Sequence, residues 1–102
     1  MSPFVRVCRV SEAPSEGAKL VTLDQQEIAI IRCDGDFYAV ENRCPHKGGP
    51  LGLGPVKNGI ITCPWHRFRF ELASGRSVTN QAMRAITYRV VVEQGELLLQ
   101  TG

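Results

Sequence analysis

Short β-type runs, separated by turn residues, recur along the whole chain and constrain its fold more than any other feature. Each run covers three to eight positions and is rich in β-branched or aromatic residues, or alternates between apolar and polar residues. No stretch of ten or more residues has the i, i+3, i+4, i+7 apolar spacing of an amphipathic helix, although residues 80–85 are long enough for a single turn. The predicted strands are residues 4–10, 19–23, 27–32, 37–41, 60–62, 69–72, 86–93 and 96–100.

The turns between these runs predict antiparallel hairpins. A residue that tolerates positive φ stands between two apolar segments in each of Asp34-Gly35-Asp36, Lys57-Asn58-Gly59, Ser74-Gly75 and Gln94-Gly95. We therefore expect an all-β fold, an antiparallel β-sandwich or small barrel, with no internal repeat and no linker.

Length and composition indicate a single globular domain over residues 1–102. Hydrophobic residues make up 43% of the chain and charged residues 22%, and the net charge is +2. So small a positive excess argues against general binding to nucleic acid. The longest apolar runs have four residues, and the amino terminus lacks the apolar core of a signal peptide. We expect a soluble, cytoplasmic protein with no nucleic-acid or membrane partner.

Glycine and proline concentrate in residues 44–66. This segment holds nine of the sixteen glycines and prolines, both histidines and two of the four cysteines. Such a composition cannot continue as regular strand for long. It predicts two shaped loops joined by the short strand at residues 60–62, and loops on a rigid β scaffold commonly carry function.

A metal-ligand pattern occupies these two loops. Cys44-Pro45-His46 is followed, after sixteen residues, by Cys63-Pro64-Trp65-His66. Thiolate and imidazole are strong ligands for borderline and soft transition metals, and each loop offers one of both. The residues alone leave two kinds of centre open, an iron–sulfur cluster and a structural zinc ion. Structural zinc usually pairs two cysteines on one segment and two histidines on another, whereas here each loop mixes the two types.

The pattern resembles that of the Rieske-type ferredoxins and Rieske domains, which hold a [2Fe–2S] cluster with two cysteines and two histidines. The likeness continues on both sides of the loops, in residues 46–51, 70–75 and 88–99. It implies a Rieske-type antiparallel β-sandwich or small barrels with a cluster-binding subdomain of two loops, placed within residues 43–70.

The same resemblance implies one [2Fe–2S] cluster per chain and assigns its ligands. Cys44 and Cys63 would bind the inner iron, and His46 and His66 the outer, more exposed iron. Cys8 lies in a predicted strand and Cys33 directly follows one. A free cysteine at such a place is usually a small buried hydrophobe, so we do not expect either to bind metal.

Four protein ligands leave no open position on iron, which predicts electron transfer rather than catalysis at the metal. The sequence has no Gly-x-Gly-x-x-Gly and no phosphate-binding loop, so a second cofactor is not expected. The resemblance implies a one-electron carrier, itself no enzyme, between a flavin-dependent reductase and a terminal oxygenase. Two alternatives stay open: the small subunit of an assimilatory NAD(P)H nitrite reductase, and a non-redox structural zinc module.

Charge around the motif is segregated and predicts a docking surface. Residues 43–70 contain five basic residues and no acidic one, and the rest of the chain has seven basic and ten acidic residues. We expect redox partners to dock near His46, His66, Lys47 and Arg67. Many members of the family that this chain resembles have glycine directly after the second histidine, where this chain has Arg67.

Two phenylalanines predict a low reduction potential. In the high-potential relatives, hydroxyl groups two and four residues beyond the second histidine donate hydrogen bonds to the cluster sulfurs. This chain has Phe68 and Phe70 at those positions, and neither side chain has a donor.

Overall fold

A computed structural model describes residues 4–45, 48–65, 67–80 and 82–100, in which ten strands form three antiparallel sheets. The strands are β1 (Phe4–Arg9), β2 (Ala18–Leu23), β3 (Gln26–Cys33), β4 (Asp36–Glu41), β5 (Val56–Lys57), β6 (Ile60–Thr62), β7 (Arg69–Glu71), β8 (Thr87–Tyr88), β9 (Val90–Glu93) and β10 (Glu96–Gln100). Two short 3₁₀ helices, Val10–Glu12 and Leu51–Leu53, complete the regular structure of the described residues. The predicted all-β antiparallel fold is confirmed.

The three sheets differ in their place in the chain. One sheet has the order β1-β10-β9 and joins the two ends of the described chain. The central sheet has the order β2-β3-β4-β8, and the third, β5-β6-β7, lies within and just after the segment rich in glycine and proline. The third sheet therefore forms a subdomain that carries the second cysteine loop.

Two-residue turns set the register of four hairpins. Asp34-Gly35, Asn58-Gly59 and Gln94-Gly95 all have positive φ at both positions, as the predicted turns require. Asp24-Gln25, between β2 and β3, has φ of 51° and 68° as well, although it contains no glycine. This turn is absent from the predicted ones because its two residues carry none of the usual signal for positive φ.

The predicted strand over residues 86–93 is wrong as a single element. It divides at Arg89 into β8, which pairs with β4, and β9, which pairs with β10. The chain changes sheets at this point, and sequence periodicity does not show which partner each half pairs with. The short strand β5 was also missed, because two residues are too few to show a strand pattern.

The central strand β3 separates two apolar clusters. Ile28 and Ile30 face one cluster, which includes Leu97 and Leu99 from β10. Ala29 and Ile31 face the other, whose members also include Val40, Cys44, Leu51, Ile61, Cys63, Phe70, Leu72 and Ala85. Both faces of β3 are therefore covered, which explains why residues 28–31 read as a continuous apolar run rather than an alternating one.

No helix in the described part of the chain is long and apolar enough to cross a membrane.

Candidate metal centre

The first cysteine loop, residues 44–49, is closed by two main-chain hydrogen bonds. The amide of Cys44 donates to the carbonyl oxygen of Gly49 at 2.8 Å, and the amide of Gly48 donates to the carbonyl oxygen of Cys44 at 2.7 Å. The loop thus returns to the residue at which it begins, and the cysteine is at its base.

The second cysteine loop, residues 63–68, repeats this arrangement. The amide of Cys63 donates to the carbonyl oxygen of Phe68 at 2.8 Å, and the amide of Arg67 donates to the carbonyl oxygen of Cys63 at 2.9 Å. In both loops the cysteine amide donates to the carbonyl oxygen of the residue five positions later. The cysteine carbonyl oxygen accepts from the amide of the residue four positions later. The two cysteines therefore occupy equivalent places in two similarly closed loops.

Each loop needs a left-handed residue four positions after its cysteine. Gly48 meets this need in the first loop with φ of 75°, and Arg67 meets it in the second with φ of 58°. Glycine adopts this conformation at no steric cost, whereas a residue with a Cβ is strained there. The second loop therefore holds local strain at a residue that also carries a positive charge.

Asn42 anchors the first loop to the central sheet, a role that the sequence analysis missed. Its side-chain amide donates to Glu27 Oε1 at 2.7 Å, and its side-chain oxygen accepts from the amide of Gly52 at 2.6 Å. Its own amide donates to the carbonyl oxygen of Glu27 at 2.8 Å. One side chain thus ties the chain just before the loop to the chain just after it. An asparagine next to a loop of glycines and prolines is the only signal in the sequence for this role.

The second loop is held by a close backbone contact at its start. The amide of Thr62 donates to the carbonyl oxygen of Pro55 at 3.0 Å, and a Cβ placed on Gly54 would lie only 1.8 Å from the carbonyl oxygen of Thr62. Only glycine fits at residue 54, so the chain can pass directly beside the residue that precedes Cys63.

Both motif cysteines lie in one apolar cluster. Cys44 is 2% exposed and Cys63 is 1% exposed, and they share this cluster with Leu51, Ile61 and Phe70. The four cysteines of the chain form no disulfide. The structure therefore places in one apolar cluster, beneath two facing loops, the two thiols that the family resemblance assigns to the metal.

The loops meet where Trp65 lies against Gly49. A Cβ built on Gly49 would be 2.9 Å from Trp65 Cγ and 3.1 Å from Cys63 Sγ. The first loop thus passes within van der Waals reach of the second cysteine sulfur. Such close approach of a main chain to a thiolate suits a site built around a bulky inorganic group.

The predicted histidine ligands, His46 and His66, lie outside the described residues, as does Lys47. Among the residues that are described, no group of three or more His, Cys, Asp or Glu side chains is placed to hold a metal ion. The two thiols fit a centre that needs two cysteine ligands from separate loops.

The remaining cysteines are placed differently from the pair in the loops. Cys8 is 4% exposed in the cluster formed with β10, and burial raises the pKa of its thiol. It is the buried hydrophobe that the sequence predicted. Cys33 ends β3 and is only half-buried, with its sulfur 3.7 Å from Asp34 Oδ2.

Four basic residues of the loop segment, residues 43–70, lie in the described part of the chain, and all four are exposed. Arg43, Lys57, Arg67 and Arg69 all reach solvent, and Arg43 Nε is 3.5 Å from where a Cβ on Gly48 would lie, so this guanidinium flanks the first loop. The one ion pair within the described ranges joins Arg6 to Glu96, on the opposite sheet. The charges beside the loops are therefore not neutralised by neighbours in the described structure.

Comparison with known proteins finds a family match over most of the chain. The family model of the Rieske [2Fe-2S] domain matches residues 3–94. The 3-phenylpropionate/cinnamic acid dioxygenase ferredoxin subunit of Photorhabdus laumondii subsp. laumondii is 35% identical over 95 residues, which cover 91% of this chain and 90% of that protein.

Two solved structures show the same fold. The ferredoxin of carbazole 1,9a-dioxygenase from Nocardioides aromaticivorans IC177 has a TM-score of 0.87 and 25% identity, covering 97% of this chain and 98% of that one. A protein described as the small subunit of an NADPH nitrite reductase has a TM-score of 0.85 and 22% identity, covering 94% of this chain and 96% of that one.

Reciprocal substitutions test the strain in the two loops. We expect Gly48→Ala to lower the free energy of unfolding by about 1 kcal/mol and Arg67→Gly to raise it by up to about 1 kcal/mol, because a left-handed residue with a Cβ is strained. In a domain of this size each change shifts the thermal midpoint by roughly 5 °C. Thermal unfolding followed by circular dichroism measures both. Gly35→Ala is the control outside the loops. Gly35 also has positive φ, and its Cβ position has open space around it, so this variant shows the effect of the left-handed conformation alone. A lower midpoint for Arg67→Gly would contradict the interpretation.

Proposed function

The chain belongs to the Rieske [2Fe–2S] domain family, and on that basis we propose that it is a one-electron carrier between a flavin-dependent reductase and a terminal oxygenase. The observation that carries the proposal is the pair of equivalently closed loops that hold Cys44 and Cys63 in one apolar cluster. The relative that is 35% identical is named as the ferredoxin subunit of a dioxygenase, which supports the oxygenase as the electron acceptor.

We propose Cys44, His46, Cys63 and His66 as the ligands of the [2Fe–2S] cluster. When bound, the cluster supplies reversible one-electron transfer. The ligands and the apolar residues around them affect how readily the cluster takes up an electron, through their charge and their burial. Two thiolates and two neutral imidazoles bring less negative charge than four thiolates, which favours the reduced form. The apolar cluster around both cysteines keeps water away from their sulfurs.

The proposed role is electron transfer without catalysis. Four protein ligands leave no position for a substrate, and the sequence shows no nicotinamide or flavin fingerprint through which the chain could oxidise a metabolite. The relatives with this fold that are named as ferredoxins are electron-transfer components. The electrons must then enter and leave through contacts with other proteins.

We propose that these contacts form around the exposed basic residues of the loops. Residues 43–70 carry five basic residues and no acidic one. Arg43 directly precedes the first loop, and Arg67 lies in the second. A basic patch attracts an acidic partner surface and orients it during the encounter. Docking there would place the partner next to Lys47 and Arg67, which are adjacent in sequence to the proposed outer ligands.

A nitrite reductase small subunit is the second candidate, because one such protein shares the fold. At 22% identity that likeness concerns the fold alone, whereas the dioxygenase ferredoxin subunit is 35% identical over nine-tenths of the chain. Co-purification with a large sirohaem-containing subunit would favour the nitrite reductase role. A structural zinc module is the third candidate, and metal analysis separates it from both.

The first test of the proposal is the metal content. We expect two iron and two acid-labile sulfide per chain, a brown colour, and a Rieske-type rather than plant-type paramagnetic spectrum after reduction. His46→Ala and His66→Ala should each abolish the intact cluster and lower the thermal midpoint, because metal binding contributes to folding. Cys33→Ala, outside the proposed ligand set, should keep the cluster. Stoichiometric zinc without sulfide would reject the proposal.

A second test is the reduction potential, which should lie at the low end of the range of about −150 to +300 mV. Phe68→Ser should raise the potential if its hydroxyl donates to a cluster sulfur, because that hydrogen bond favours the more negative reduced state. Phe68→Ala removes the same ring without adding a donor and is the matched control. Protein-film voltammetry gives all three potentials. A wild-type value near the top of the range would remove the energetic support for delivery to an oxygenase.

A third test concerns docking. The rate of reduction by a flavin-dependent reductase should fall as ionic strength rises, since charges are screened over about 8 Å at physiological salt. Lys47→Glu or Arg67→Glu should slow the reaction about tenfold at low salt, with the potential nearly unchanged. Arg89→Glu makes the same charge change at an exposed residue outside the loop segment and should have a small effect. Stopped-flow kinetics that show no response to salt or to either loop variant would rule out the basic docking surface.

A further inference from the structure

The contact between Trp65 and Gly49 joins the two cysteine loops directly. A Cβ built on Gly49 would lie 2.9 Å from both Cγ and Cδ2 of the Trp65 indole. Real side chains do not approach that closely, so the indole occupies space that any other residue at position 49 would fill. The ring of one loop is thus packed onto the bare main chain of the other.

We propose that Trp65 is a positioning residue, a non-covalent clamp that fixes the spacing of the two cysteine loops and so retains the cluster. The proposal rests on the proposed function, since it concerns the retention of the cluster that these loops would hold. In this role the indole acts by holding one loop against the other.

The place of the contact within the hydrogen-bonded loops supports this role. Gly49 accepts the hydrogen bond from the amide of Cys44 that closes the first loop. Trp65 lies inside the second loop, between Cys63 and Arg67, whose own hydrogen bond closes that loop. A displacement of the indole therefore loosens Gly49, and the hydrogen bond that the Cys44 amide donates to Gly49 then no longer fixes Cys44 relative to Cys63.

Burial shows that the inner face of the indole does this packing. Gly49 is buried although it has no side chain, whereas Trp65 is 58% exposed. One face of the ring covers the glycine and the other faces solvent. Cys63 Sγ, 3.1 Å from the same Cβ position on Gly49, lies beside this contact, so the clamp and the second thiol meet the first loop at one point.

No disulfide links the two loops, because all four cysteines are free of disulfide bonds. Each loop is anchored to its own sheet, the first through Asn42 and the second through Gly54 and Thr62. These anchors hold each loop separately. The packing of Trp65 on Gly49 acts between the loops, and the dispersion contacts of an aromatic ring on a buried main chain are substantial.

Substitutions at the two contact residues test the clamp in the cluster-loaded protein. Trp65→Ala should accelerate loss of the visible cluster absorbance on mild heating about tenfold, the factor that corresponds to about 1.4 kcal/mol. Trp65→Phe keeps a ring on Gly49 and should restore most of the wild-type rate. Val92→Ala shortens another exposed apolar side chain, 53% exposed on β9, and should leave the rate unchanged. Equal rates for Trp65→Ala and Val92→Ala would overturn the proposal.

A double-mutant cycle separates the clamp from general stability. Gly49→Ala in the wild-type background should also accelerate cluster loss, because its methyl group would collide with the indole. The same substitution in the Trp65→Ala background should have a clearly smaller effect, since the indole is gone and only the tighter approach to Cys63 Sγ remains. Additive effects would show that the two residues do not act on each other and would overturn the clamp.

Hydrogen exchange in the loaded proteins gives a readout that global destabilisation would not produce. In Trp65→Ala, the amides of Gly48 and Arg67, which close the loops, should exchange faster, while the amides of β3 keep their protection. Faster exchange throughout β3 would mean that the whole fold is weakened and would overturn the clamp. Absence of iron and sulfide from the wild-type protein would instead reject the proposed function.

Discussion

Strand β3 is buried on both faces, and the two apolar clusters of the fold are positioned by packing against it. Ile28 and Ile30 pack toward β10, and Ala29 and Ile31 pack toward the cysteine loops. The same strand therefore stabilises the sheet formed by the ends of the chain and the layer beneath the candidate metal centre. Because the residues of β3 alternate between the two clusters, its register relative to β2 and β4 decides which side chains face the cysteines.

The loops above this layer combine rigidity with strain. Each is closed on its cysteine by two main-chain hydrogen bonds, and each contains a residue with positive φ at the same place. In the first loop that residue is glycine, which adopts the conformation freely. In the second it is Arg67, which places a cation on the surface at the expense of local strain. The second loop thus has a strained backbone at Arg67, where it also carries a positive charge on the surface that we propose for docking.

The loops have an apolar inner side and a charged outer side. The two motif thiols lie among apolar side chains, where a metal centre is kept from water, and the basic side chains of the loops lie outside and exposed. Electron transfer needs both, a site protected from solvent chemistry and a surface close to it that recognises a partner. Trp65 lies at the boundary, with one face on Gly49 and the other toward solvent.

Local features of the sequence predict the all-β class, three of the four two-residue turns and the pair of loops that holds Cys44 and Cys63. These features depend on local chemistry, since alternation, positive-φ residues and glycine or proline content act over a few neighbouring positions. Long-range contacts in the folded chain set three further features: the division of residues 86–93 between two sheets, the anchoring role of Asn42 and the packing of Trp65 on Gly49. Each joins segments that are distant in sequence, and pairing partners and close packing across such distances leave no periodic trace in the chain itself.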